Sequence, residues 1–303
     1  RAGWLYYIAG NTQDQIAAKL GVSRQSAQRL VSLAIGERLI RFELDHPIAR
    51  CLSLGDALEK TFGLRLAEVV PTDPGHPEGV FGVGRAAAAH LERHLRSTVP
   101  VTIGIGTGRT LKAAVEQMAT LDCPQHKIVS MTGNIAPDGS AAYFSVIFNV
   151  AEKTKARCYP LPVPVFASSD EERETLSRQP LIASNMGLIE AAETVFIGIG
   201  GLGGDAPLLL DGFLSTGELE ALRRAGAIGE ITGWTFDRDG APIEGLTNGR
   251  VMSAPLPDLS RKLCVAVAVG RSKVDAIRAA ITRPLVNGLV TDEATAEALL
   301  RGA

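Results

Sequence analysis

The sequence predicts an α/β protein in two parts, a helical head over residues 1–50 and a parallel-sheet domain over residues 51–303. Three observations predict it. Two helix-start signals flank a glycine within residues 12–31, short β-rich runs alternate with helical stretches from about residue 67, and glycine-rich turns follow two of those runs. Strands alternating with helices make βαβ units, whose sheet is parallel and covered on both faces.

The head comes first in the chain. Thr12 is suited to cap a helix whose apolar stripe is Ile16, Ala17 and Leu20. Gly21 can take the left-handed conformation that ends it, and Ser23 caps a second helix with an apolar face of Ala27, Leu30 and Val31. Ala17 lets the two helices approach, and Val22 plugs the corner between them. That spacing is the sequence image of a helix-turn-helix. Arg24, Gln25, Ser26, Gln28 and Arg29 fall on the polar face of the second helix. Arg and Gln can pair bidentately with guanine and adenine edges in the major groove, and a helix N-terminus suits a phosphate. Residues 38–43 alternate as a short strand, resembling a wing that touches the DNA backbone through Arg38 or Arg41. The other reading of these residues is an αα-hairpin with a solvated basic face.

Charge follows the same division. Residues 1–50 hold seven Lys/Arg and four Asp/Glu, a net +3, so the remainder carries −5 of the total of −2. A basic head on an acidic body fits localised DNA contact rather than a chain coated for nucleic acid.

Residues 45–47 mark a boundary, because proline disfavours helix in the residue before it. Residues 52–62 read as an amphipathic connecting helix with Leu54, Leu58 and Phe62 four apart. Strands are then expected over 67–70, 101–105, 127–131, 194–199 and 263–269, and helices over 84–95, 111–121, 140–155, 217–225 and 273–282. The arrangement is Rossmann-like.

Chemistry is expected at the ends of these strands, where open α/β sheets bind ligands. In the GIGTGRT run at 104–110, Gly106 and Gly108 permit close backbone approach, while Thr107, Arg109, Thr110 and the helix-start amides suit an anion. The run lacks the Gly-Lys-Ser/Thr ending of a nucleotide P-loop, and a tight turn without ligand is the other reading. The GIGGLG run at 198–203 matches a dinucleotide fingerprint formally. Pro207 and the leucines after it oppose the helix that the fingerprint requires, so Gly200 and Gly201 read better as the rim of another small-molecule site. Asn134, Glu230 and Lys273 also fall near strand ends. A lysine opening a helix opposes the dipole, which hints at an anion held there. Each of the three could equally be a structural polar residue, and Glu230 could pair with an arginine.

Catalytic patterns are missing. His46, His76, His90, His94 and His126 lie outside the glycine loops, and no HExxH, GxSxG or Cys/His arrangement occurs. No metal or cofactor is expected, and binding without chemistry is favoured. Cys51, Cys123, Cys158 and Cys264 form no CxxC pair, which suits reduced thiols in a cytoplasmic protein. The composition, 46% apolar and 21% charged, is that of a globular protein with a sizeable core. Its apolar runs are too short to cross a bilayer, so no membrane partner is expected. The chain begins on Arg rather than Met, so the sequence is expected to start inside a longer one, with no targeting segment visible.

The ordered series of motifs is what carries a resemblance. Residues 13–33 and 38–43, VVP at 69–71, GIGTGRTL at 104–111, Gly133-Asn134, and residues 196–201, 226–233 and 270–281 together resemble the SorC family of sugar-binding transcriptional regulators, neighbours of the deoxyribonucleoside regulator. The resemblance implies a regulator, expected to be a repressor, of a carbohydrate or polyol operon, with an effector domain similar to phosphosugar isomerases and glucosamine-phosphate deaminases but stripped of catalysis. It implies homotetramers on palindromic operators and a small sugar, polyol or sugar-phosphate effector, the phosphorylated form being favoured. By matching motifs, Thr107, Arg109 and Thr110 would contact an effector phosphate with Lys273 nearby, and Glu230 would meet sugar hydroxyls. Palindromic half-sites in turn require at least a dimer. The alternative is an active sugar-phosphate isomerase or deaminase fused to a DNA-binding head.

Overall fold

A computed structural model describes residues 1–36, 47–73, 75, 79–136, 138–140 and 146–302. The chain folds as two compact units, Arg1–Ala49 and Arg50–Ala303.

Among the described residues the first unit holds the helices α1 (Ala2–Tyr7), α2 (Gln13–Leu20) and α3 (Arg24–Gly36). Thr12 closes a reciprocal capping box with Gln15 at the start of α2, and Gly21 ends it at φ 65°. Ser23 Oγ accepts the Ser26 amide at 3.1 Å, capping α3. Ala2, Leu5, Ile16, Ala27 and Val31 form the core, with Ala17, Leu20 and Val22 packed against it. Leu30, expected on the buried face, is 41% exposed, and Ala34 is buried instead. Positions 27, 31 and 34 share one helical stripe, and 30 lies at its edge. The expected wing, with Arg38 and Arg41, lies outside the described residues.

In the second unit, α4 (Pro47–Phe62) leads into β1 (Leu66–Val70), α5 (Phe81–Leu95), β2 (Thr102–Ile105), α6 (Arg109–Gln117), β3 (Lys127–Ile135), α7 (Ile147–Thr154) and β4 (Arg157–Pro164). There follow α8 (Asp170–Ser177), α9 (Pro180–Ala191), β5 (Thr194–Ile197), β6 (Gly200–Gly201), α10 (Pro207–Leu210) and α11 (Thr216–Arg224). The unit closes with β7 (Gly229–Ile231), β8 (Trp234–Phe236), β9 (Leu263–Val267), α12 (Val274–Thr282), β10 (Gly288–Asp292) and α13 (Glu293–Arg301).

Seven strands make one sheet in the order β1-β10-β9-β5-β2-β3-β4, and every pairing is parallel. Because side chains alternate between faces, Val195 and Ile197 of β5 enter one apolar layer and Phe196 the other. A three-stranded antiparallel sheet, β6-β7-β8, stands beyond the end of β5. Residues 200–201 are extended and no helix starts at Gly203, the next being α10 at Pro207, which agrees with rejecting a dinucleotide fingerprint. Thr232 at φ 51° and Gly233 at φ 91° make the two-residue turn between β7 and β8.

The sequence reading missed β4. Its three prolines, Pro160, Pro162 and Pro164, mask the strand pattern, and it is tolerated because it lies at the sheet edge. Also unexpected were β10, the small sheet, and helices α8, α9 and α13. The helix expected over 140–155 begins at Ile147, and 141–145 lie outside the described residues.

Candidate functional site

Strand β2 leads through α6 to β3 on one side of the sheet, whereas β5 leads to β9 on the other. The loops leaving the C-terminal ends of these two adjacent strands therefore diverge, and a crevice opens between them. A cavity of about 640 Å³ lies there. It brings together Thr107, Gly108, Arg109, Thr110, Gly200, Glu230 and Lys273. Three expected residues fall elsewhere. Gly106 donates its amide to the Phe196 carbonyl at 2.8 Å, joining the strand ends beneath the cavity. Gly201 lines a smaller neighbouring hollow with Arg109, Thr110 and Lys273. Asn134 is buried inside β3, which runs four residues past Met131, and its Oδ1 accepts the Leu161 amide of β4 at 3.4 Å. Thr132 and Gly133 of the same strand face the cavity instead.

Each of the gathered side chains has a local cause. Gly108 caps α6 at φ 121°, a conformation that favours glycine, and Arg109, Thr110 and Leu111 of the first turn of α6 line the cavity. Gly229 approaches α12 so closely that an added Cβ would stand 2.6 Å from that of Ala276, which holds β7 against the helix behind Lys273. Lys273 opens α12 as its N-cap residue. It ends the 3₁₀ turn Arg271–Lys273 and precedes Val274. Glu230 Oε2 accepts the Gly233 amide at 2.8 Å, across the hairpin turn. A Cβ at Gly200 would lie 2.1 Å from Glu230 Oε1, so a side chain at position 200 would displace the Glu230 carboxyl.

The electrostatics are mixed. Burial pushes the Glu230 carboxyl above the ordinary carboxylate range, the Gly233 amide and Lys273 charge pull it down, and Asp211 raises it further. Arg109 Nη2 stands 3.6 Å from Asp211 Oδ1. Burial raises the Asp211 carboxyl too, opposed by Arg109. Sequence reasoning missed Asp211, Asp138, Thr232 and the segment around α10, all of which line the cavity. The Pro207 start and the Asp211-Gly212 turn signalled a short helix, but nothing in the pattern showed that it folds back over the glycine loops.

On the head, Arg24, Gln25, Ser26, Gln28 and Arg29 are exposed along the first turns of α3. Arg24 Nε lies 3.5 Å from Asp14 Oδ1, an exposed ion pair of the kind that adds little stability. Thr12 and Ser23 are occupied as caps, each still exposed at its helix start.

His90 and His126 have structural partners away from the cavity. His90 is buried against Glu68 at 3.4 Å, and burial lowers its pKa. His126 Nδ1 accepts the Val101 amide at 3.2 Å, which leaves Nε2 to donate to the Leu95 carbonyl at 3.1 Å. Burial pushes the Cys158 and Cys264 thiols up to about 12. Among the described residues no His/Cys/Asp/Glu group suits a metal ion, and no helix is long and apolar enough to cross a membrane.

Residues 46–301 match the family described as "Putative sugar-binding domain". Over 300 residues the chain is 34% identical to the erythritol catabolism regulatory protein EryD of Brucella abortus, covering 99% of this chain and 95% of that protein. It is 32% identical to the transcriptional regulator LsrR of Klebsiella pneumoniae over 305 residues, covering 99% of this chain and 91% of that one. The fold is similar to that of the full-length sorbitol operon regulator SorC from Klebsiella pneumoniae, with a TM-score of 0.74 at 22% identity over 99% of this chain and 97% of that chain.

Proposed function

The chain belongs to the SorC-like family of sugar-binding transcriptional regulators, and on that premise we propose that a small polyhydroxyl effector in the switch-point cavity controls binding of the head to a palindromic operator. It is a regulator of a carbohydrate or polyol operon. In the proposed division of labour, residues 1–50 read DNA through Arg24, Gln25, Ser26, Gln28 and Arg29 of α3, and residues 51–303 hold the effector and oligomerise. Thr107, Arg109, Thr110, Glu230 and Lys273 are the proposed contacts. The protein works in the cytoplasm as a dimer or tetramer and does not convert its ligand.

The observation that carries this reading is the cavity itself. It has backbone donors at the start of α6, carboxylates and cations placed to bind hydroxyls, and apolar walls from Ile199, Leu208 and Phe213. Ligand pockets of this kind combine apolar walls with a few converging polar groups. Among its described lining residues Ser140 Oγ donates to Asp138 Oδ1 at 2.6 Å, but these bonds from Ser140 hold the Asp138 carboxyl below its ordinary range, which makes it a weak base for activating a hydroxyl.

One observation favours the second reading, an active isomerase or deaminase. A buried carboxyl raised in pKa is what general acid–base catalysis uses, and Glu230 has that property. The two readings separate in one experiment. Full-length protein is titrated against the DNA upstream of its own gene, with and without a panel of sugars, alditols and their phosphates, and each mixture is analysed for product. The proposal expects ligand-dependent DNA affinity without turnover. Turnover would transfer the function to the enzyme reading, and affinity indifferent to the whole panel would remove the effector role. Arg29→Ala is expected to weaken operator binding by about 1–3 kcal/mol, read as a rise in Kd.

A further inference from the structure

We infer that Asp211 selects an uncharged polyhydroxyl effector over a phosphorylated one, by holding Arg109 in an internal ion pair. The inference rests on the effector role proposed for the cavity and decides which class of ligand it takes.

The charge balance around the cavity is the first support. Among its described lining residues the cations are Arg109 and Lys273, and the carboxylates are Asp138, Asp211 and Glu230. The adjoining hollow shares both cations and adds Asp205. The residues between 136 and 146 outside the described set are Pro, Ala, Tyr, Phe and Ser, which bring no charge. Among the described lining residues carboxylates thus outnumber cations before any ligand enters. A phosphate monoester brings roughly −1.5 to −2 at neutral pH, and even where helix-start amides hold it, neighbouring carboxylates oppose it and Arg or Lys favour it.

The second support is the ion pair. Arg109 is the one arginine lining the cavity among the described residues, and its Nη2 faces Asp211 Oδ1 at 3.6 Å. The Asp211 side chain is only 22% exposed. A phosphate that took Arg109 would leave this carboxylate without its cation in a part-buried place, close to a second carboxylate at Glu230. Like charges brought together in this way are a standard means of rejecting the wrong ligand.

A neutral polyol meets no such conflict. Its hydroxyls can donate to Asp211 and Glu230 and accept from the α6 amides and Lys273, so the Arg109–Asp211 pair stays intact. Its carbon chain can lie on Ile199, Leu208 and Phe213. Asp211 follows directly on α10, so its position is tied to the short helix that contributes Leu208.

Calorimetry on the full chain tests this with three matched pairs, erythritol and erythritol 4-phosphate, D-ribose and D-ribose 5-phosphate, and D-glucitol and D-glucitol 6-phosphate. Inorganic phosphate serves as a probe that does not depend on the sugar. The expected result is that the neutral member of the binding pair has a Kd at least tenfold below that of its phosphate. Asp211→Asn and Asp211→Ser should then lower the Kd for the phosphate and for inorganic phosphate at least fivefold, narrowing or reversing the preference. Tighter binding of the phosphate by the unsubstituted protein overturns the inference, and so do Asp211 variants that leave the ratio within a pair unchanged. Should both variants fail to fold, the comparison within pairs on the unsubstituted chain decides alone. If no member of any pair binds while operator DNA still does, the effector role of the cavity falls first and takes this inference with it.

Discussion

At the scale of single residues the account turns on Glu230. Its folded-state carboxyl lies above the ordinary value because the group is buried beside Asp211. The folded state therefore holds this proton more tightly than the unfolded chain does. The stability this brings is full below the ordinary carboxylate range and is lost as pH rises through the raised value. Above the ordinary carboxylate range, keeping this carboxyl in the folded state thus costs stability that an uncharged amide would not. Glu230→Gln is expected to raise Tm by about 2–4 °C at pH 7.5, with the gain vanishing toward pH 4, while weakening the response to ligand. Thermal unfolding across that pH range checks the sign, and a variant less stable at pH 7.5 would show that the charge is fully compensated. Gly200→Ala is expected to push Glu230 from its place, because the added methyl would occupy the Oε1 position. Ligand Kd should rise tenfold or more in calorimetry. Glu230, Lys273 and the 107–110 loop were legible because a strand end followed by glycine is a local pattern. Asp211 was not, because its importance arises from an ion pair with a residue about a hundred positions away.

At the scale of elements, the head was the more legible part. Caps, a left-handed glycine and a short apolar stripe are all encoded within a few residues, and α2 and α3 start where Thr12 and Ser23 said they would. Thr12→Ala is expected to destabilise the head by about 1 kcal/mol by removing the cap on α2. Hydrogen exchange of the α2 amides would detect it, and unchanged protection there would contradict the capping argument. In the larger unit, strands with continuous apolar runs were found and those that break the pattern were not. Strand β4 tolerates its prolines because it is an edge, and the first glycine of β6 lies tight against Glu230. Edge position and crowding are properties of the assembled sheet, which a local pattern does not contain. The three-stranded sheet beside the cavity was missed for the same reason, although it carries Glu230.

At the scale of the whole molecule, the claim is a coupling between two sites. A ligand shifts DNA affinity only as far as it distinguishes the DNA-competent state from the other, and the coupling is reciprocal. Operator DNA should therefore change the ligand Kd by the same factor that ligand changes the DNA Kd. Symmetric half-sites also require symmetric heads, so light scattering is expected to report a dimer or tetramer at the concentrations that bind DNA. A monomer bound to a full operator would break that link. The most direct test of the central claim is fluorescence anisotropy on the DNA upstream of the gene, with the full chain titrated in the absence and at saturation of the tightest-binding ligand. The account predicts a change in DNA Kd of at least about fivefold, lost in Glu230→Ala. An identical Kd in both titrations, with ligand binding confirmed in the same sample, would contradict it.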